Sequence, residues 1–340
     1  MKRGCLAVGL LLVFLLQFPP CGFPEEQDPF SAAAAAYRER RLDQAFVYAK
    51  RAVQQSPDHV DALALLGELY YMKQQLPEAR DVWERALRLA PSRGDIRKRL
   101  DQLEKEAPLE KGMARSDTYP FVVRFAEGQI PVDLGDLREL LREVYRGVGQ
   151  QFDCFPDHPI AVILYSEDDF NQVRGMSHQA AGLYDGKIRL PIRKARPGHI
   201  FSASQELKRV LWHEYTHAVV HDIAKGKCPT WLNEGLAVLE EMRIYERPLP
   251  EFREAFNSGK LYSWSAFWDQ PYDPNHLALQ YEQGYMMAGY LVKQWGWSKM
   301  SALLRRLAIG YPIDDAMRAE YRMEPATIEK EWHSWLKRNL

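Results

Sequence analysis

The segment QELKRVLWHEYTHAVVHDIA, residues 205–224, predicts one long helix. Ser202 and Gln205 have the spacing of a capping box at its start, and Gly226 followed by Pro229 ends it. The HEYTH motif at residues 213–217 therefore lies in the middle of a helix, where the side chains at its first and last positions share one face.

His213 and His217 are the first and last residues of that motif. Two neutral imidazole nitrogens on one helix face can bind a single Zn²⁺. Glu214 follows the first histidine and can take a proton from a water molecule at such an ion. The alternative is a helix that exposes two histidines without a metal.

A third ligand decides between these alternatives, because catalytic zinc has three protein ligands and one open position. Glu234 comes seventeen residues after His217, inside WLNEGLA, at the start of the next predicted helix. Trp231 would bury the start of that helix, and Gly235 permits close packing against the motif helix. The chain thus offers two histidines and one carboxylate.

The two motifs together resemble the gluzincin zinc metallopeptidases, which include thermolysin and the zinc aminopeptidases. They are most similar to the peptidase MA-like domains that often follow tetratricopeptide repeats. The resemblance implies that His213, His217 and Glu234 are zinc ligands and that Glu214 is the general base. It also implies that Asn233 supports a ligand histidine. The gap between His217 and Glu234 is somewhat shorter than in thermolysin or the aminopeptidases, so the connecting loop differs.

The metzincin pattern fits less well, because it requires a glycine and a third histidine just downstream. Val220 and Ile223 occupy those places. His221 shares the helix face one turn beyond His217. We interpret it as a polar neighbour of the site, since Glu234 already completes the ligand set.

A second match lies in QYEQGYMMAGYL, residues 280–291. It resembles the Tyr-Glu-Lys-Gly element of the aminopeptidases, with Gln283 in place of the lysine. In those enzymes the tyrosine donates a hydrogen bond to the oxyanion of the tetrahedral intermediate, which implies this role for Tyr281. Tyr285 is the alternative donor, and a packing role for both tyrosines stays open.

The aminopeptidases' anchor for the substrate amine has no counterpart before the zinc motif. AAGLYDGKIRL, residues 180–190, occupies that region, and its strand could pair with an extended peptide. This favours an endopeptidase-like or an undetermined cleavage mode.

Residues 29–106 resemble about two tetratricopeptide repeats and a capping helix. Leu63, Gly67, Tyr70, Ala79, Trp83 and Pro91 lie at the offsets of such a repeat, and Ala45 and Pro57 fit the preceding one, 34 residues earlier. The repeats imply either a partner- or substrate-recruiting surface or a structural brace for the second domain.

The order of elements beyond the repeats predicts an α+β fold: all-α helical hairpins, then a gluzincin-like domain with a small β-sheet, the zinc-motif helix and a C-terminal helical subdomain. We expect a linker at residues 107–118 and the metallopeptidase-like domain at 119–340. Within that domain the patterns predict strands at 119–125, 159–166 and 182–192 and a helix at 133–152.

The N-terminus differs from the rest of the chain. Lys2 and Arg3 precede a short apolar run in residues 1–24, which is typical of a signal peptide or an uncleaved anchor. Lipidation of Cys21 stays open. Export to the periplasm, cell envelope or outside of the cell would make Cys154 and Cys228 either a disulfide pair or two separate thiols.

The chain has 340 residues and a formal net charge of -1, which gives no indication of a nucleic-acid partner. The sequence predicts an exported zinc metallopeptidase that acts on a peptide or protein, with a protein partner for the repeats and membrane attachment at the N-terminus as further expectations. One alternative is an inactive zinc-domain scaffold whose repeats bind other proteins. Another is a structural zinc site, although such sites favour closed, cysteine-rich ligand sets.

Overall fold

The structure is a computed structural model that describes residues 28–128, 133–173, 182–192, 203–268, 273 and 275–340. The predicted signal peptide or anchor at residues 1–24, including Cys21, lies outside these ranges. The predicted helix cap at Ser202 lies outside them as well.

The N-terminal region consists of antiparallel helices that pack through small residues. These helices are α1 (Pro29–Arg38), α2 (Leu42–Gln55), α3 (Val60–Met72), α4 (Leu76–Leu89) and α5 (Gly94–Glu110). The indole of Trp83 lies against Gly67, where a Cβ would overlap the ring and come 2.7 Å from its Cε2 atom. The same indole donates from Nε1 to the carbonyl of Ala64 at 3.1 Å. A glycine at position 67 is therefore what allows α4 to approach α3 so closely.

The structure differs from the prediction at residues 107–118, which are not a linker. Helix α5 continues to Glu110, and residues Ala114–Thr118 form the first strand of the sheet. Polar residues in this stretch suggest exposure, yet Glu110 is buried and accepts a hydrogen bond from the hydroxyl of Tyr165 at 2.6 Å. The sheet therefore begins before residue 119.

The described residues form a five-stranded sheet with the order β1-β2-β3-β5-β4. Its strands are β1 (Ala114–Thr118), β2 (Phe121–Phe125), β3 (Ile160–Ser166), β4 (Leu183–Tyr184) and β5 (Ile188–Ile192). The central strands β2, β3 and β5 are parallel, whereas β1 and β4 pair antiparallel at either end. The predicted strand at 182–192 is a hairpin of β4 and β5, and β4 is an edge strand.

The remaining elements are helices that cover the sheet or follow it. They are α6 (Leu134–Phe152), α7 (Glu167–Val173), α8 (Ala203–Ala224), α9 (Thr230–Ile244), α10 (Pro250–Asn257), α11 (Trp264–Trp268), α12 (Leu277–Ala308), α13 (Ile313–Tyr321) and α14 (Pro325–Asn339). One hydrophobic core joins the inner face of the sheet, α6, α8 and the C-terminal helices. This arrangement confirms the α+β fold with a helical C-terminal part.

Two further observations concern the cysteines and the membrane. Of the cysteines in the described ranges, Cys154 and Cys228 are both free thiols. Burial raises the pKa of Cys154 to about 11. No helix in the part of the chain that the structure describes combines the length and the apolar character needed to cross a bilayer.

The contact between α9 and α12 yields a prediction about stability. A Cβ at Gly235 would lie 2.6 Å from the carbonyl carbon of Gly284, so the Gly235→Ala methyl group would overlap backbone that cannot rotate away. We expect the free energy of unfolding to fall by about 1–3 kcal/mol, measured by urea denaturation.

Gly289→Ala on α12 is the matched control. Its Cβ would meet only Leu239, at an ordinary 3.5 Å, and alanine favours a helix interior. If both variants were as stable as the unmodified protein, the backbone contact would not have the importance assigned to it here.

Candidate metal centre

The three predicted ligands converge, although they come from two helices. His213 and His217 lie one turn apart on α8, with ring centroids 4.9 Å apart. Glu234 lies in the second turn of α9, and its Oε2 is 3.4 Å from Nε2 of His213 and 3.5 Å from Nε2 of His217. Within the described ranges, these three residues are the group whose ligand atoms could hold one metal ion.

These distances fit a shared Zn²⁺ ion. Ligand atoms that each lie about 2.1 Å from a tetrahedral ion are about 3.4 Å apart. Oε2 of Glu234 is buried and has no hydrogen-bond partner among the described residues. The donor set of two imidazoles and one carboxylate is also the one that catalytic zinc uses. The residues present therefore fit the ion.

The charges in this centre depend strongly on one another. Burial lowers the pKa of His213, but the neighbouring carboxylates of Glu234 and Glu241 outweigh it and raise the pKa to about 10. Burial would raise the pKa of Glu234, yet the two histidines hold it well below its ordinary value. The negative charge of Glu234 therefore favours a positive charge in the space between its carboxylate and the two imidazoles.

Glu241 orients the first ligand histidine, a role that the sequence did not reveal. Its Oε2 lies 3.0 Å from Nδ1 of His213. Its Oε1 accepts a hydrogen bond from Arg209 at 2.6 Å, and Arg209 also pairs with Glu206 at 2.7 Å. A carboxylate on Nδ1 fixes the imidazole so that Nε2 faces the carboxylate of Glu234, 3.4 Å away.

A weak signal for this role was present in the sequence. Glu241 follows Glu234 by seven residues, which is two helical turns, so both lie on one face of α9. Glu240 is an equally acidic neighbour, and the sequence gives no means of choosing between them. In the structure Glu240 pairs with Arg243 instead.

The predicted role of Asn233 is corrected by this arrangement. Oδ1 of Asn233 is buried without a hydrogen-bond partner in the described ranges, and so is Nδ1 of His217. Asn233 therefore does not hold a ligand histidine here. For His213 this role belongs to Glu241, which lies about two turns beyond Asn233 on α9.

Glu214 lies beside the centre, in the position expected of a base. Only 5 % of its surface is exposed. Burial raises its pKa, although the two histidines oppose that shift. The backbone at Gly182, just before β4, abuts this carboxylate, since a Cβ there would come 2.7 Å from Oε1. The edge strand and the carboxylate thus face the same space.

That space is a cavity of about 270 Å³ that contains the ligands, Glu214, Leu183 and Tyr184 of β4, and Tyr281. Burial and the adjacent charges of Glu234 and Glu214 raise the pKa of Tyr281 far above its ordinary value, so its hydroxyl stays protonated. Tyr285 is not among the described residues that line this cavity. Of the two candidate donors, Tyr281 is the one that the structure brings to the centre.

His221 is not part of the ligand group found among the described residues. Its ring packs edge-on against Tyr184, with centroids 5.9 Å apart. Burial lowers the pKa of His221 to about 4. The sequence-based interpretation of His221 as a polar neighbour agrees with this position.

Comparison with known protein families finds one match in the N-terminal region of the chain and one in the C-terminal region. Residues 203–338 match the Peptidase MA superfamily. Residues 36–102 match the Tetratricopeptide repeat family. The chain thus carries tetratricopeptide repeats followed by a peptidase MA-like segment, as the resemblance implied.

The peptidase MA match begins with α8 and contains α9 and α12, so it includes every residue of the metal centre. The strands before α8 lie outside the matched range. None of the curated proteins matches the chain.

Glu241 provides a test of the metal centre. Glu241→Ala removes the group that holds the His213 ring, so we expect zinc affinity to fall about 10- to 100-fold, measured by competition with a chromophoric chelator. His217→Ala removes a ligand itself, and elemental analysis should find little zinc in that variant.

Glu240→Gln is the control, because Glu240 neighbours Glu241 in the chain but pairs with Arg243. It should bind zinc as the unmodified protein does. Equal affinity in Glu241→Ala would refute the assignment of Glu241 as the residue that orients His213.

Proposed function

We propose that this protein is an exported, zinc-dependent peptidase of the gluzincin type that hydrolyses peptide bonds. The observation that carries the proposal is the position of Glu234 Oε2, which has no hydrogen-bond partner among the described residues and lies 3.4 Å and 3.5 Å from the Nε2 atoms of His213 and His217. A carboxylate base and a tyrosine hydroxyl face the same cavity. The peptidase MA match supports the same class of activity.

Zn²⁺, when bound by His213, His217 and Glu234, would polarise the scissile carbonyl and make an attacking water more acidic. Glu214 takes the proton from that water and delivers it to the leaving amine. Burial raises the pKa of Glu214, so its carboxylate accepts the proton of that water more readily than an exposed carboxylate would.

Tyr281 acts on the oxygen of the scissile carbonyl. Its hydroxyl stays protonated and lines the cavity, so it can donate a hydrogen bond as negative charge develops on that oxygen. Such a bond strengthens in the transition state, which is why it would affect turnover more than binding.

The substrate we propose is an extended peptide that pairs with β4. This strand is at the edge of the sheet, and Leu183 and Tyr184 line the cavity. A free strand edge offers backbone groups to a peptide whatever its side chains are. Gly182 has no side chain to separate that peptide from Glu214.

Two features support a peptidase over an inactive scaffold or a structural zinc site. A scaffold has no physical need for a buried carboxylate at Glu214, whose burial disfavours its charge. A structural site would close all four positions around the ion, whereas among the described residues three ligands converge and leave one position open.

We also propose that residues 1–24 direct export, as a signal peptide or an anchor. The support is the basic start followed by an apolar run that is shorter than a membrane span.

Glu214→Gln tests the proposed chemistry. The amide cannot accept a proton, so hydrolysis of a diverse peptide mixture should fall by at least about 10²-fold while zinc content stays the same. Mass spectrometry of the digest, with and without a chelator, measures the cleavage, and elemental analysis of the purified variant measures its zinc content. Peptide cleavage that persists in this variant would exclude Glu214 as the base. Cleavage that persists in the presence of chelator would exclude zinc from the reaction.

Tyr281→Phe tests the hydrogen-bond donor. We expect turnover to fall about 10²- to 10³-fold with little change in zinc affinity, because the lost bond forms in the transition state. Tyr285→Phe is the matched control on the same helix and should retain its turnover. The assignment fails if the two variants are equally active.

A further inference from the structure

Arg247 is a basic residue at the cavity of the metal ligands that the proposed mechanism does not use. It lies in the turn between α9 and α10, and its side chain lines the same cavity as Glu214 and Tyr281. About one third of that side chain, 33 %, is exposed. The guanidinium is therefore accessible to a molecule that enters the cavity.

The turn that carries Arg247 is held at both of its ends. Helix α9 closes where the backbone N–H of Tyr245 donates to the carbonyl of Glu241 at 3.0 Å. Helix α10 begins just beyond, and the backbone N–H of Phe252 donates to the buried carboxylate of Glu282 on α12 at 2.8 Å. The turn is thus attached to α9 and α12, the helices that carry the third ligand and the tyrosine donor.

Glu241 is the acidic neighbour of Arg247, yet it does not engage the guanidinium. Nε of Arg247 lies 3.9 Å from Oε1 of Glu241, which is beyond hydrogen-bond distance. That oxygen already accepts a hydrogen bond from Arg209 at 2.6 Å. Within the described ranges the guanidinium of Arg247 makes no hydrogen bond. Its N–H groups are therefore available to a bound molecule.

The same contacts place the guanidinium close to the metal centre. Oε1 of Glu241 faces Arg247, whereas Oε2 lies 3.0 Å from Nδ1 of His213. One carboxylate thus separates Arg247 from a ligand histidine. An extended peptide advances about 3.3 Å per residue, so a peptide group that reaches Arg247 belongs to a residue near the cleaved bond.

The negative charges around Arg247 are engaged by other groups. Glu241 contacts Arg209 and His213. Glu282 also interacts with the charge of Arg247, but its carboxylate is only 2 % exposed and accepts from the backbone of α10. An acidic group of a substrate would therefore meet a guanidinium that makes no closer contact with a carboxylate of the described residues.

A carboxylate is the peptide group that suits such a guanidinium best. Two N–H groups of an arginine lie in one plane and match the two oxygens of a carboxylate. Hydrogen bonds between two charged groups are also stronger than those to a neutral acceptor. A backbone carbonyl offers one uncharged oxygen, and a basic side chain would be repelled.

We propose that Arg247 is a specificity residue that binds a carboxylate of the substrate peptide near the cleaved bond. This carboxylate is either the side chain of Asp or Glu or the free C-terminus of the peptide. The inference rests on the proposed peptidase function, because it places the peptide in the cavity that contains the metal ligands.

The test measures binding without cleavage, in zinc-loaded protein that carries Glu214→Gln. Fluorescent peptides with an amidated C-terminus carry a single Glu, or a single Gln, at each position in turn, and fluorescence anisotropy gives Kd. We expect Glu at one position to lower Kd about ten-fold or more relative to Gln. A second set without acidic side chains compares a free C-terminus with an amide, which identifies the source of the carboxylate.

Arg247→Gln is the test variant, because it removes both the charge and the paired N–H groups. It should reduce the preference to about two-fold or less, while elemental analysis finds the same zinc content because Arg209 still holds Glu241. Arg253→Gln is the matched control. Arg253 is exposed on α10 and is not among the described residues that line the cavity, so losing its charge should leave the preference intact.

The outcomes separate this assignment from the peptidase proposal. A carboxylate preference that Arg247→Gln loses and Arg253→Gln retains supports the assignment, even if the unmodified protein cleaves no peptide. The assignment is overturned if neither set of peptides shows a preference, or if the two variants behave alike. It is also overturned if Arg247→Gln weakens the binding of all peptides equally, since the guanidinium would then contact the peptide backbone. Cleavage by the unmodified protein tests the peptidase proposal alone.

Discussion

Helices α9 and α12 touch backbone to backbone at Gly235 and Gly284, and the positions of two side chains follow from that contact. Glu234 immediately precedes the first glycine, and Tyr281 lies one turn before the second. Because no side chain separates the two helices there, α9 can lie against α8 and α12 at once. The carboxylate then meets the imidazoles of α8, and the tyrosine reaches the same cavity from the other side. A wider spacing of these helices would separate the groups that must act together.

Electrostatics explains why these groups are held so firmly. Glu241 is buried and Glu234 is largely buried, and a negative charge removed from water requires a positive partner. Arg209 supplies that partner for Glu241, which in turn orients His213. For Glu234 the arrangement provides two imidazole nitrogens, and a divalent cation would satisfy all three groups together. The repeat module follows the same rule, since its buried Glu106 is compensated by cations from the β4–β5 hairpin.

The sequence predicted the parts of this structure that depend on local periodicity. The helical spacing of His213 and His217 requires a common face, and the apolar patterns located β2, β3 and the β4–β5 hairpin to within a few residues but missed β1. It did not predict that Glu241, rather than Asn233, contacts a ligand histidine, because that depends on how α9 is rotated against α8. The supposed linker failed for a related reason. Polar residues such as Glu110 suggest solvent exposure, whereas Glu110 is buried and accepts a hydrogen bond from Tyr165, 55 residues away in the chain.

The central claim is that two imidazoles and one carboxylate bind a single zinc ion and leave a position for water. X-ray absorption at the zinc edge of the zinc-loaded protein measures this directly, because nitrogen and oxygen ligands differ from sulfur in distance. We predict nitrogen and oxygen scatterers at about 2.0–2.1 Å with the multiple scattering of two imidazoles. A sulfur scatterer at about 2.3 Å, which would place a cysteine on the ion, or a spectrum without imidazole scattering would contradict the account.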